Sequence, residues 1–142
     1  MLAPLNRVIV FVGDVQRCAQ FYRDAFDLAF IPSDDPAAWQ ELDAGRCRLA
    51  FHKAHGPDGP VDAPTGGPMN PHKIAFFAED VVQACAELER RGVQMGKVNR
   101  FGDLHLCDGA DPEGHRFQIS NRPRTGHFTP TRGARRSTGR CA

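Results

Sequence analysis

The sequence predicts an α+β fold of two tandem βαβββ modules that form a curved mixed sheet around a cavity, with the helices on the outer face. The first observation is an internal repeat, because RVIVFVGDV at 7–15 recurs as KIAFFAEDV at 73–81, a constant offset of 66 residues. The second observation is that each repeat begins a series of one strand, one helix and three further strands. A length of 142 residues suits one such domain, over residues 1–121.

Module one covers residues 5–53. The run Val8 to Val12 is β-branched and aromatic, as in a buried strand, and it stops before Asp14, a residue type that caps helices. From Val15 to Phe26 apolar residues recur at spacings of three and four, which is typical of an amphipathic helix. Turn-forming residues then separate three further predicted strands, over 28–32, 39–42 and 46–53.

Module two covers residues 72–121 and follows a segment, 54–71, that is dense in glycine and proline. Such a density of breakers predicts a linker without secondary structure. In module two, Asp80 is expected to cap a helix over 81–91, and Gly92 to end it. The predicted strands are 73–78, 93–98, 103–107 and 115–120, the last of them entered through the turn Asp111-Pro112-Glu113-Gly114.

Charge is distributed unevenly along the chain. The net charge is +1, yet the last 21 residues hold six arginines and no acid, so the preceding body is acidic. These arginines are Arg122, Arg124, Arg132, Arg135, Arg136 and Arg140. The composition predicts a basic, flexible tail over 122–142. No aromatic stacking platform accompanies it, and we do not expect nucleic acid as a partner.

The cysteines and the apolar runs indicate a soluble, cytoplasmic protein. Cys18, Cys47, Cys85, Cys107 and Cys141 are odd in number and form no Cys-x-x-Cys pair, so reduced thiols that fill the core are expected. No apolar run approaches the roughly 18 residues of a membrane span, and no secretory leader pattern opens the chain. A membrane partner is therefore not expected.

Four motifs carry a resemblance to a known family. They are FYRD at 21–24, ELDAG at 41–45, RLAFH at 48–52 and DPEG at 111–114. With the repeated module, they resemble the vicinal oxygen chelate superfamily, which includes glyoxalase I, extradiol dioxygenases and the fosfomycin and bleomycin resistance proteins. The resemblance covers residues 5–121 and implies the two-module fold and a homodimer that completes the site. It specifies a reaction less well, because this fold hosts both enzymes and binders.

The resemblance also implies where a metal would bind. Metal-dependent members place His or Glu on the first and last strands of each module, facing the cavity. The matching positions in this chain are Arg7, Ala50, Lys73 and Gln118. None offers the imidazole or carboxylate that a divalent ion needs, and two cations would repel it. We therefore expect neither a metal nor another cofactor at this site.

Because of two histidines, an enzymatic function stays open as the alternative. A register shift of one residue would bring His72 into the cavity, although it would turn Ile74 and Phe76 the wrong way. His52 shares the cavity face of its strand and can serve as an acid/base group. The alternative function is thus a glyoxalase-type lyase or isomerase, with a displaced divalent metal site or with His52 as the catalytic residue.

Strand alternation assigns a set of side chains to the cavity face. This face holds four cations and no acid on the first and last strands of the modules, with two phenylalanines as apolar walls. We expect a small anionic or aromatic ligand, bound by Arg7, Phe11, Arg48, His52, Lys73, Phe77, Arg116 and Gln118. A reading in which Arg48 and Arg116 instead lie at the cavity mouth and pair with acids stays open.

Overall fold

The computed structural model describes residues 3–123 and confirms the predicted α+β fold of two βαβββ modules. All but the first two residues of the predicted tail lie outside this range. Within it, neither helix has the length and apolarity needed to cross a bilayer. The elements are β1 (Arg7–Val12), α1 (Val15–Phe26), β2 (Ala29–Ile31), β3 (Trp39–Asp43), β4 (Arg48–Lys53), β5 (His55–Gly56), β6 (Gly59–Pro60), β7 (Ile74–Phe77), α2 (Val81–Arg90), β8 (Asn99–Phe101), β9 (Leu104–Ala110) and β10 (Arg116–Ser120).

Each module contributes a four-stranded mixed sheet, and the two sheets repeat one topology. Their strand orders are β1-β4-β3-β2 and β7-β10-β9-β8. The first pair in each sheet, β1 with β4 and β7 with β10, is parallel, and the other pairs are antiparallel. Among residues 3–123, β1 and β7 pair on one side each, so both are edge strands. The connection between the parallel strands of each module contains its helix and two further strands, a long crossover of the kind that parallel pairing requires.

Both helices begin where the sequence predicts. The Asp14 carboxylate accepts the N–H of Arg17 at 3.0 Å, and the Asp80 carboxylate accepts the N–H of Gln83 at 2.9 Å. These bonds satisfy backbone donors that a helix start leaves without partners. Helix α2 ends at Arg90, and Gly92 follows with a φ of 84°, a conformation that favours glycine.

The two modules share one hydrophobic core, with Tyr22 of α1 near its centre. The Tyr22 ring stacks on Phe51 of module one at 5.2 Å between centroids. Phe26, one helical turn further on, stacks on Phe76 of module two at 3.8 Å, and Phe117 meets Phe26 edge-on at 5.3 Å. Helix α1 therefore packs against residues of both sheets, and the modules are not independent units.

Three of the four cysteines in the described range are buried in this core, as predicted. Cys18, Cys85 and Cys107 are free thiols with 5% or less of their surface exposed. Burial raises the pKa of the Cys85 thiol to about 12, and it also raises the pKa of Cys18. Protonated thiols are poor nucleophiles, so these cysteines act as core residues.

The predicted strand over 93–98 is wrong. Val93 is buried directly after α2, and the following residues touch β9 at separate points only: Met95 forms an isolated bridge with Gly109, and Gly96 donates its N–H to the Asp108 carbonyl at 2.7 Å. A ladder begins later, at Asn99. Val93 and Met95 are apolar because they pack into the core. Alternation of apolar residues by itself does not distinguish such packing from a strand.

The segment predicted as an unstructured linker contains a short hairpin and a bound strap. Strands β5 and β6 pair at 55–56 and 59–60, and residues 62–70, the strap, then cross both modules. The Thr65 hydroxyl donates to the Phe11 carbonyl at 2.6 Å, and the Gly66 N–H donates to the Glu113 carbonyl at 3.2 Å. The glycines and prolines set the backbone conformation of this segment instead of leaving it without fixed structure.

Candidate functional site

A cavity of about 670 Å³ lies between the edge strands β1 and β7. Its apolar wall comes from consecutive residues of both edges, including Ile9, Phe11 and Ala75. No Asp or Glu within residues 3–123 lines it. The polar lining residues are Arg48, Thr65, Asn70, His72, Lys73, His115 and Arg116. A largely apolar concave site with a few polar groups is the usual form of a small-molecule site.

The structure places four of the eight predicted site residues in this cavity. Phe11, Arg48, Lys73 and Arg116 line it. The other four, Arg7, His52, Phe77 and Gln118, belong to neighbouring positions of the same two sheets but do not line it. His72 also lines the cavity, two positions before β7 begins, so it needs no register shift to reach the site.

The cations predicted for the face of module one pair with Glu41, a residue of the middle strand β3 that the prediction did not consider. Glu41 lies on β3, opposite Ala50, and its carboxylate accepts the Arg7 Nε–H at 3.3 Å. It also pairs with Arg48 at 3.6 Å, and it accepts the Trp39 indole N–H at 3.1 Å. With 13% of its side chain exposed, this carboxylate is well shielded from water. The pairing of Arg48 with Glu41 confirms, for Arg48, the alternative in which this cation pairs with an acid of the protein.

Module two contains the equivalent carboxylate, Asp108 of β9. It lies opposite Gln118, which in turn lies opposite Ala75, just as Glu41, Ala50 and Ile9 align across module one. Lys73 donates to Asp108 at 2.9 Å, and the Gln118 amide donates to its other oxygen at 3.1 Å. The prediction considered the first and last strands of each module and so missed both carboxylates. Alternation on β3 and β9 is the signal that could have found them.

The residues do not fit the metal site that the superfamily resemblance implies. Arg7, Ala50, Lys73 and Gln118 supply no His or carboxylate ligand. The neighbouring carboxylates, of Glu41 and Asp108, are already bonded to cations and amide or indole donors. Within residues 3–123 no three His, Cys, Asp or Glu side chains lie close enough to hold an ion.

An aromatic row crosses the cavity face of module one. Phe11, His52 and Trp39 stand opposite one another on β1, β4 and β3. The His52 ring is 5.3 Å from the Phe11 ring and 5.4 Å from that of Trp39, so it contacts an aromatic ring on each side. This packing holds Phe11 beside the cavity, where its ring is 55% exposed. A role of His52 in acid/base chemistry stays a prediction.

The strap closes one end of the cavity through His115, which is buried. Its Nε2 lies 2.8 Å from the Thr65 hydroxyl, and its Nδ1 lies 3.1 Å from the Asn70 amide nitrogen. The Asn70 amide nitrogen is a donor, so Nδ1 is the acceptor in that contact. Neither Thr65 nor Asn70 was predicted as a site residue, since nothing in the local sequence indicates that the strap reaches the cavity.

The turn before β10 holds the modules and the strap together. Burial alone would raise the pKa of Glu113, but the N–H groups of Gly13, Asp14 and Thr65 donate to its carboxylate and lower the pKa below its usual range. Asp111 accepts the Tyr22 hydroxyl at 3.1 Å, and burial raises the pKa of this carboxyl. Both acids are bonded within the protein, so we assign them to the fold rather than to a ligand.

Residues 4–119 match the family model described as the Glyoxalase/Bleomycin resistance protein/Dioxygenase superfamily. The match spans both modules and the strap, in agreement with the duplicated βαβββ topology. The chain belongs to this superfamily. No curated protein sequence is significantly similar to it. Membership of the superfamily accounts for the fold, while its members differ in chemistry, so the site must decide the function.

Solved structures of the superfamily share this fold. A lactoylglutathione lyase from Agrobacterium tumefaciens has a TM-score of 0.64 and 18% identity, covering 84% of this chain and 93% of that one. The fosfomycin resistance protein FosX from Mesorhizobium loti has a TM-score of 0.64 and 14% identity, covering 87% and 96%. TnmS3, an antibiotic binding protein from Streptomyces sp. CB03234, has a TM-score of 0.62 and 16% identity, covering 83% and 94%. At these identities the likeness concerns the fold alone.

Proposed function

We propose that this superfamily member binds a small anionic or aromatic molecule in the cavity between β1 and β7, without a metal ion. The observation that carries the proposal is the lining of that cavity. Apolar side chains from both edge strands surround it, its polar lining residues within 3–123 include Arg48, Lys73 and Arg116, and no acid of that range lines it. Such a site suits a ligand with an apolar body and a negative or electron-rich group. Binding of this kind serves to sequester the molecule or to present it to another protein.

Two aromatic probes test the proposal. We expect 2-naphthoate and its neutral counterpart 2-naphthamide to bind once per chain, measured by isothermal titration calorimetry. Ala75→Phe fills the cavity from β7 and should weaken both probes at least roughly tenfold. Ala86→Phe, at an exposed position of α2, is the matched control and should leave binding unchanged. Failure of both probes to bind, or binding that ignores Ala75→Phe, would contradict the proposal.

Metal independence is tested separately. Protein purified without a chelator should carry less than stoichiometric Mn, Ni or Zn by elemental analysis, because the implied ligand positions hold Arg7, Ala50, Lys73 and Gln118. Addition of EDTA should leave the dissociation constants of both probes unchanged. Stoichiometric metal, or metal-dependent isomerisation of a hemithioacetal, would support the glyoxalase-type alternative instead.

We also propose a homodimer. Edge strands β1 and β7 have unpaired outer sides within residues 3–123, and they expose Ile9 by 43%, Phe11 by 55% and Phe77 by 61%. Exposed apolar edges of this kind pair readily with another chain, and a second copy offers the same two edges. Phe77→Lys should shift the mass measured by light scattering from dimer to monomer. Phe101→Lys, on the far edge strand β8, should not; a monomeric parent protein would contradict the proposal.

The redox state of the cysteine thiols is relevant to the cellular compartment of the protein. The four cysteines of the described range are free, and three of them are buried among apolar side chains. Reduced, structural thiols are typical of proteins in the cytoplasm, and we propose that location. Fractionation of the producing cells tests it, and recovery of the protein outside the cytoplasmic fraction would contradict it.

A further inference from the structure

We propose that Arg116 recognises a carboxylate, and that the ligand is an aromatic monocarboxylate. This inference rests on the proposed function, since it assigns a chemical class to the molecule in the same cavity. Three cations line that cavity, Arg48, Lys73 and Arg116. They differ in whether a carboxylate of the protein already binds them, and this difference decides which of them is available to a ligand.

Two of the three cations already have a carboxylate. Arg48 pairs with Glu41 at 3.6 Å, and Lys73 donates to Asp108 at 2.9 Å. Arg116 is exposed and makes no side-chain hydrogen bond or ion pair within residues 3–123. It therefore keeps the full donor capacity of a guanidinium, five N–H groups in a planar fork.

The internal duplication gives Arg116 an equivalent in module one, Arg48, which does have a carboxylate partner. Arg48 lies opposite Arg7 on the first strand pair of module one, and Arg116 holds the equivalent place beside Lys73 in module two. In module one, Arg7 and Arg48 share one oxygen of Glu41, and the Trp39 indole donates to the other. In module two, the position of Ala50 is taken by Gln118.

In module two, both oxygens of the equivalent carboxylate are bonded, and Arg116 is not among their partners. Gln118 donates to one oxygen of Asp108 at 3.1 Å, and Lys73 donates to the other. Asp108 is also one methylene shorter than Glu41, so its reach along the sheet is smaller. Within residues 3–123, Arg116 is thus left without an anionic partner at the cavity.

The surroundings of Arg116 select the ligand class. An arginine fork matches the two oxygens of a carboxylate in a bidentate pair. A phosphate dianion would require a second cation, and Lys73 is engaged by Asp108. The apolar wall, with Phe11 held beside the cavity by His52, suits an aromatic body. Together these features favour one carboxylate on an aromatic ring system.

Calorimetry with three probes tests this assignment: 2-naphthoate, 2-naphthamide and 2-naphthyl phosphate. The parent protein should bind 2-naphthoate roughly tenfold or more tightly than 2-naphthamide, because a hydrogen-bonded charge pair is added. Arg116→Gln should abolish this difference, because it should weaken 2-naphthoate far more than 2-naphthamide. Arg116→Lys, which keeps the charge but loses the fork, should retain part of the preference. Arg100→Gln, an exposed arginine of β8, is the control and should change nothing.

The possible results separate this inference from the proposed function. If neither naphthalene probe binds, the proposed function fails. If both bind with equal affinity, or if Arg116→Gln keeps the preference for 2-naphthoate, the cavity binds aromatic molecules but Arg116 is not the anion site. A 2-naphthyl phosphate affinity more than tenfold above that of 2-naphthoate would overturn the assignment to carboxylates. An equal loss with Arg100→Gln would show a general charge effect and would also overturn it.

Discussion

At the scale of single residues, the Glu113 side chain bonds to several separate segments of the fold. Its carboxylate accepts N–H groups of Gly13 and Asp14 from the start of α1, at 2.9 and 2.7 Å, and that of Thr65 from the strap, at 3.1 Å. Its side chain thereby joins three segments that are distant in sequence. A carboxylate suits this role because it accepts bonds at both oxygens and donates none.

We predict that Glu113→Gln destabilises the fold by about 1–3 kcal/mol at pH 7, because the amide nitrogen must face a backbone N–H that loses its acceptor. Urea denaturation followed by circular dichroism measures this. Glu79→Gln, at an exposed position next to the start of α2, is the control and should change the free energy of unfolding by less than about 0.5 kcal/mol.

The pH dependence of this difference has a definite sign. Because the folded pKa of Glu113 is below the ordinary value of 4.5, its contribution is fully present above pH 4.5 and is lost as the pH falls through the folded pKa. The stability gap between the parent protein and Glu113→Gln should therefore stay constant from pH 7 to pH 5 and narrow below that. A gap that widens on acidification would contradict this account.

At the scale of elements, the strap depends on a glycine that leaves room for the turn before β10. A Cβ at Gly66 would lie 2.6 Å from the carbonyl carbon of Gly114 and 2.8 Å from the carbonyl oxygen of Glu113. Both are backbone atoms and cannot rotate away. The neighbouring Gly67 has no atom within 4 Å of the same position. Adjacent glycines in the strap thus differ completely in their tolerance of a side chain.

We predict that Gly66→Ala destabilises the protein by about 1–3 kcal/mol, as overpacking does elsewhere. It should also weaken the binding of 2-naphthamide, since Thr65 and Asn70 of the strap line the cavity. Thermal unfolding and calorimetry provide the two measurements. Gly67→Ala is the matched control and should be close to neutral in both; equal effects of the two substitutions would contradict the role of the strap.

The helix starts allow a second prediction at this scale. Asp80→Ala removes the side-chain bond to the Gln83 N–H and should cost about 1 kcal/mol, whereas Asp80→Asn keeps an acceptor and should cost much less. Chemical denaturation of the three proteins measures the difference. Equal losses for Ala and Asn would show that the carboxylate charge, and not the cap bond, stabilises α2.

At the scale of the whole molecule, the shared core makes the modules one cooperative unit. Phe26 of α1 stacks on Phe76 of module two, and Tyr22 contacts rings of both sheets. Trp39 is the single tryptophan of the chain and lies in module one. Its fluorescence therefore reports unfolding of that module, while circular dichroism reports both.

We predict that Ile119→Val, a small truncation in the core of module two, lowers the free energy of unfolding by about 0.5–1.5 kcal/mol. Because the core is shared, the urea midpoints from Trp39 fluorescence and from circular dichroism should shift together. A fluorescence midpoint that stays at the value of the parent protein while circular dichroism shifts would show that the modules unfold separately.

Local sequence pattern was sufficient to predict the duplicated modules, both helices with their caps and most strands, because periodicity and capping depend on neighbours within a few residues. Together with the short motifs, it was also sufficient to predict the superfamily. The same reasoning identified Arg7, Ala50, Lys73 and Gln118 as positions that do not suit a metal. It was wrong over 93–98, where apolar residues pack into the core without a ladder, and in part over 54–71, where glycine and proline shape a bound strap.

Tertiary structure decided the electrostatics and the cavity. Glu41 and Asp108 reach the cations from middle strands, and this depends on the register between strands that are distant in sequence. The sequence by itself thus determined the scaffold, while the structure decided that Arg48 and Lys73 pair with Glu41 and Asp108, because charge pairing depends on distances of a few ångströms across the sheets.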